Sequence, residues 1–305
     1  MNLTRYKPSG KISTSFYLFF VLFMVISIPI LSIVYIYLTY YIPFIYINFF
    51  ITLGCGAALG FVATLAATYG KARNAVVAGI LTFVAVCILK YVQWAVYIPL
   101  IISEFFGSSM TMGERFMETL FLLVNPAYII DSASIINEIG VWSLAGADVT
   151  GAFLFAVWVI EFIILAVAAV FVARVQPGQP FSEEANAWYD EAPEKIEADM
   201  PEDISTVINA LDNGNAVDFV QCALAGKTND SNFMRLTFFK PPENSSSLEP
   251  YYVDIEHIII AGTKKKPTTQ ANKLAAFVAI TPETARSVIA QATTASSTDI
   301  PNNEQ

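Results

Sequence analysis

Two ionisable side chains lie deep inside apolar runs, and any chemistry in the first half of this chain starts from them: Lys90 in "VAVCILKYVQW" and Glu161 in "FAVWVIEFIIL". A charge at the centre of a bilayer costs about 2.5 to 3.5 kcal/mol on insertion scales, so such a group faces a partner, a cavity or a pathway. Lys90 follows Arg73 by 17 residues and Glu161 precedes Arg174 by 13. At about 1.5 Å per residue the two stand roughly 25 and 20 Å from one edge, at comparable depth. Three readings stay open at this level. Lys90 and Glu161 pair across helices as a structural contact. Alternatively, Glu161 is unpaired and protonated while Lys90 snorkels to the outer surface. Or the two serve a proton or ion pathway, for which one acid and one base without an internal repeat make a sparse relay. Gln93 and Trp94 stand beside Lys90 and extend the polar cluster.

These residues need spans to hold them. No charge occurs from Tyr17 through Gly70, a run far longer than the roughly 20 residues that cross the hydrocarbon. It must fold back, and Pro43 in "TYYIPFIY" marks the break. The spans are expected near 16–39, 46–69, 75–96 with helix continuing to Ser103, and 151–173. The basic residues Arg5, Lys7, Lys11, Lys71, Arg73 and Arg174 then share one side. By the positive-inside rule this predicts a multi-pass bacterial inner-membrane protein with both termini cytoplasmic. The first apolar run is too long, and lacks the small-residue cleavage site, for a secretory signal. In the second span Gly56, Gly60, Ala63 and Ala67 form a smooth face for close helix packing, within the bundle or against a second copy as a homo-oligomer. Ala78, Thr82 and Ala85 offer a facing stripe on the third.

The external segment 103–150 holds Arg115 as its single base. It should carry an amphipathic helix, Met112 to Val124, stopped by Asn125 and Pro126, that caps the bundle or lies on the outer leaflet. Gly140, Trp142, Gly146 and Asp148 read as a tight turn or hairpin.

After residue 174 the chain becomes polar and acidic, and the overall balance of −9 arises there, which argues against nucleic acid as a partner. The expected divisions are a cytosolic tail 1–15, the bundle 16–174, an acidic linker 175–202, a small cytosolic α+β domain 203–293 and a disordered tail 294–305. The domain reads as two helices (Ile204, Val207, Ile208, Leu211; then Val217, Val220, Leu224), three strands and a last helix opened by Thr281, Pro282 and Glu283. His257 shares a strand face with Val253, Ile255 and Ile259 and reads as a packed residue rather than a base. "TKKK" at 263–266 reads as a solvated tip. No phosphate loop, nucleophile elbow or paired-acid motif occurs. One histidine, and three cysteines (Cys55, Cys87, Cys222) without a Cys-x-x-Cys pair, predict no metal site, cofactor or disulfide framework. The function expected is therefore not catalytic: a membrane-anchored binding or scaffold component whose cytosolic domain meets a protein partner, with the lipid bilayer around its spans. The alternative is a small transporter or channel component using Glu161 and Lys90.

One resemblance adds to this. "IGVWSLAGADVTGAFLFAVWVIEFIIL" and "PFSEEANAW" resemble a family of four-span bacterial inner-membrane proteins with no assigned activity. In that family a Gly-x-Trp turn leads into a last span with a Trp-x-x-Glu step, here Trp158 and Glu161. A Pro-Phe-Cys-x-x-Cys-x-x-Trp stretch then opens the cytosolic part. Pro180, Phe181 and Trp188 match it, while Ser182 and Ala185 stand at the cysteine positions. The resemblance therefore implies no metal knuckle in this chain.

Overall fold

The structure, a computed structural model, describes residues 5–42, 44–105, 110–140, 143–144, 147–193, 195–263 and 266–298. The expectations for Pro43, Trp142, Gly146, the middle of "TKKK" and the end of the C-terminal tail lie outside them. The chain forms two compact units, one of Ser9–Gly178 and one of Gln179–Gln305 joined by the N-terminal stretch through Pro8.

The first unit is helical: α1 (Thr14–Tyr41), α2 (Ile45–Gly70), α3 (Ala75–Phe105), α4 (Met112–Val124), α5 (Pro126–Ile139) and α6 (Gly151–Ala173). Four of these, α1, α2, α3 and α6, are long and apolar enough to cross a membrane. The contact of α2 with α6 rests on small residues, while Phe16, Phe20, Met24 and Ile28 of α1 fill the core beside it. A Cβ at Gly56 or Gly60 would collide with the Leu165 or Ala169 carbonyl oxygen of α6, and the Thr64 hydroxyl donates to the Val172 carbonyl at 3.0 Å. Backbones this close gain dispersion contacts that larger residues would forbid. Ala63 and Ala67 are buried with them. Gly70 accommodates the backbone of Phe16 at the start of α1, and the Ser13 hydroxyl donates to the Gly70 carbonyl. On α3, Ala78, Thr82 and Ala85 are buried. Large apolar side chains, among them Leu18, Val25, Phe50, Ile80 and Phe171, point outward.

Thr111 and Glu114 form a reciprocal capping box at the start of α4. Asn125 ends that helix, Pro126 opens α5, and the two are bent by 110°. Leu122, Ile129 and Ile136 bury the pair against Ala95, Ile98 and Ile101 of α3. A short antiparallel pairing, β1 (Ser143–Leu144) with β2 (Ala147–Asp148), precedes α6.

The second unit corrects three boundaries. Residues 175–202, expected as a linker, carry strands. β3 (Phe181–Ser182) pairs with β4 (Ala187–Trp188), and β5 (Asp190–Glu191) and β6 (Ile196–Asp199) join the main sheet. The acidic composition hid an alternation: Ile196 and Ala198 are buried while Glu197 and Asp199 face outward. Residues 5–8, expected in a free tail, belong to this unit. The last helix runs five residues into the segment expected to be disordered.

Helices α7 (Ile204–Asp212) and α8 (Val217–Ala225) lead to β7 (Asn232–Lys240), β8 (Tyr251–Thr263), β9 (Lys266–Ile280) and α9 (Pro282–Thr298). The sheet is antiparallel, with β5 and β6 on β7, then β8, and β9 as the outer strand. Met234, Leu236, Phe238, Val253, Ile255 and Val278 pack with Leu211, Phe219 and Val288 of the three helices into one core. Asp203 caps α7 by accepting from Thr206 N at 3.1 Å.

Candidate functional site

The structure brings the two charges of the long apolar helices together. Lys90 Nζ lies 3.6 Å from Glu161 Oε2, linking α3 to α6. That distance exceeds a hydrogen bond, so the attraction is electrostatic. The same ammonium lies 5.7 Å from the centre of the Tyr35 ring on α1. The Tyr35 hydroxyl meets Thr52 Oγ1 of α2 at 3.2 Å. One turn along, Gln93 Nε2 donates to Cys55 Sγ at 3.8 Å. Gln93 is buried, and its Oε1 has no hydrogen-bond partner among the described residues. Trp94 and Trp158 meet edge to face, centroids 4.9 Å apart. All four long helices thus contribute to one polar cluster. Lys90 and Glu161 announced themselves as charges in apolar runs. Tyr35, Thr52 and Cys55 did not, because tyrosines and threonines occur at many other positions of the apolar runs, as does a cysteine at Cys87, and nothing in the sequence sets these three apart.

This arrangement neutralises two charges at a place where either alone would be costly. An acid beside a base can also exchange a proton, and the pair is only partly buried, with Lys90 19% and Glu161 30% exposed. Thr52 precedes Gly56 by one helical turn, so the face of Gly56, Gly60, Ala63 and Ala67 continues from this cluster along α2, and its two glycines are covered by α6 of the same chain.

The second candidate site is on the sheet-bearing unit. Asp254, buried in β8, accepts from Lys273 Nζ at 2.7 Å. Its other oxygen accepts from the Phe277 backbone N–H at 2.7 Å. Between Val253 and Ile255 the β8–β9 register shifts, and Phe277 adopts φ of +48°, a left-handed conformation that a bulky residue keeps only when its surroundings enforce it. Asp254 is what enforces it. The bulge turns the Phe277 carbonyl toward residue 6, and the Tyr6 N–H donates to it at 2.9 Å.

The Tyr6 ring meets Tyr252 at 5.3 Å and Phe277 at 6.3 Å. Tyr189 and Phe239 back those rings at 5.1 and 5.2 Å. Burial, with the neighbouring Tyr6 and Glu249, pushes the Tyr252 phenol up to about 12. Arg5 completes the contact with a two-pronged pair to Asp212, 3.1 and 2.8 Å. Hydrogen bonding to that carboxylate raises the guanidinium further above its ordinary value.

Elsewhere on the unit, His257 is half-buried on β8, its Nε2 2.6 Å from Asn232 Oδ1. Glu197 receives Lys227 at 2.8 Å and Arg235 at 3.0 Å. Burial works to raise the Glu197 carboxyl, but these hydrogen bonds outweigh it and hold the group below its ordinary range.

At "PFSEEANAW" the Phe181 and Trp188 rings meet at 4.9 Å, and the Ser182 hydroxyl accepts from Ala185 N at 3.0 Å. Among the described residues, no three His, Cys, Asp or Glu side chains gather as a metal ligand set. No family model, curated protein or solved structure matches the chain.

Proposed function

We propose that this chain is a four-span protein of a bacterial inner membrane with both termini cytoplasmic, and that it acts as a membrane-anchored binding or scaffold component through its soluble unit. What carries the reading is the hold of that unit on a peptide segment, residues 5–8, through a guanidinium–carboxylate pair, an aromatic seat and a backbone hydrogen bond. The same contact supports the topology. The contact of residues 5–6 with the sheet favours a common side for the two, which fits an even number of spans with the bent α4–α5 pair as a cap. The apolar outer faces of α1, α2, α3 and α6 suit hydrocarbon and would be costly in water. Membership of the family resembled at Trp158, Glu161 and "PFSEEANAW" is part of the proposal, and so is the view of Lys90–Glu161 as a structural pair.

The test is photo-crosslinking in cells, with a reactive residue introduced at Gln221, Lys240 or Leu248 of the full chain. A discrete protein adduct at one of these positions is expected. Its absence at all of them, with the protein inserted and folded, contradicts the binding reading.

A second reading has one observation in its favour, the buried and unpartnered Gln93 Oε1 beside an acid–base pair. It makes the chain a small transporter or channel component. Proteoliposomes decide: proton or cation flux abolished by Glu161→Gln supports it, and gradients left unchanged by the wild-type protein remove it.

A further inference from the structure

The contact made by Arg5 and Tyr6 has the parts of a recognition site. Asp212 is the last residue of α7, at the negative end of the helix dipole, where a carboxylate is disfavoured and a cation offsets the cost. Among the described strands β9 pairs with β8 alone, and the Phe277 carbonyl at its bulge accepts the Tyr6 N–H, the first element of β-strand addition. The seat is built by the unit itself: Asp254 fixes Phe277, while Tyr189 and Phe239 support the rings. The guest is lightly held by comparison. Residues 5–8 lie outside any helix or strand, the Arg5 side chain is 46% exposed, and the chain continues through Pro8 to Gly10 at φ +72°.

We propose that the surface formed by Asp212, Tyr252 and Phe277 is a docking site for a protein segment with a basic residue followed directly by an aromatic one, and that Arg5–Tyr6 occupies it in cis as a displaceable stand-in. This rests on the reading of the soluble unit as a binding module and names the chemistry of its partner. A tethered segment acts at an effective concentration on the order of millimolar, so the strap sets a threshold that an incoming segment must exceed. The occupant favoured is a segment of another protein. Exchange of the strap between two copies of this chain is the other outcome the experiment resolves.

The experiment uses the full chain in detergent and a fluorescein-labelled peptide of residues 2–10, Asn-Leu-Thr-Arg-Tyr-Lys-Pro-Ser-Gly, followed by anisotropy. The Arg5→Ala/Tyr6→Ala variant should bind the probe at least tenfold more tightly than wild type. Adding Asp212→Lys should lose that gain, and a probe with its Arg replaced by Glu should not bind. Equal binding to wild type and strap-broken protein, or none to either, overturns the proposal. So does loss of the folded unit on breaking the strap, read by amide exchange over β8 and β9, since the strap would then be structural. A wild-type dimer that the strap-broken variant loses would identify a second copy as the occupant. Crosslinked adducts at Lys240 or Leu248 together with a failed probe would sink this inference alone. Absence of both would sink the binding reading as well.

Discussion

Two of the molecule's ion pairs are housed differently, one between long apolar helices and one between residue 5 and the end of α7. Lys90 and Glu161 meet at 3.6 Å inside a helix bundle, surrounded by Tyr35, Thr52, Gln93 and two tryptophans. Arg5 and Asp212 meet at 2.8 Å with good two-pronged geometry at a surface, 46% and 30% exposed. Better geometry does not mean more energy. An exposed pair in water contributes at most about 1 kcal/mol. Lys90 and Glu161 are themselves 19% and 30% exposed, so the medium separates the two pairs: beside hydrocarbon, as proposed, a charge that loses its partner has no water to receive it. The inner pair is therefore hard to open and suited to fixing helices in place. The outer pair is easy to open and suited to exchange.

The comparison can be broken at either end. The largest effect is expected for Lys90→Met, which leaves Glu161 without its partner among apolar helices and should cost about 3 kcal/mol, read as a fall in melting temperature in detergent. Gly60→Val comes next. Its side chain would meet the Ala169 carbonyl and the Val172 side chain, and overpacking of this kind costs about 1 to 3 kcal/mol. A loosened α2–α6 contact should appear as faster exchange of both helices.

Asp254→Ala should cost about 1 to 3 kcal/mol by leaving the Phe277 N–H without its acceptor. It should also release Tyr6, visible as increased tyrosine quenching, while the helical unit melts unchanged. Arg5→Ala should move the melting temperature least, by the equivalent of about 1 kcal/mol or less.

The soluble unit should respond to pH in two windows. Asp199, held low first by the Thr228 hydroxyl, and Asp203, held low by Thr206, contribute stability that is present above their ordinary values and lost as pH falls through the depressed ones. Tyr252, raised to about 12, contributes stability that is complete below the ordinary phenol value near 10 and lost as pH rises towards 12. A pH titration of the unit's melting temperature, falling below about 4 and above about 10, checks both.

Much of the helical unit could be read from the chain because a bilayer-spanning helix needs length and apolarity, which sequence records directly. Lys90 and Glu161 stood out for the same reason. Their neighbours did not: a tyrosine at 35 or a threonine at 52 matters only through what faces it across the bundle. In the soluble unit the pattern was weaker. Ile196 and Ala198 alternate over just four residues inside an acidic run, and composition masked the strand. The seat for Arg5 and Tyr6 left no local signal. It joins residues more than 200 positions apart, and it depends on a bulge at Phe277 that an aspartate on the adjacent strand imposes.

The most direct test of the central claim, that the Lys90–Glu161 pair is structural, is a double-mutant cycle on thermal stability in detergent with Lys90→Met, Glu161→Gln and both together. The account expects each single change to destabilise and the double change to recover most of the loss. Simple additivity, or a Glu161→Gln protein more stable than wild type with Lys90→Met silent, would contradict it and mark the carboxylate as kept for transport.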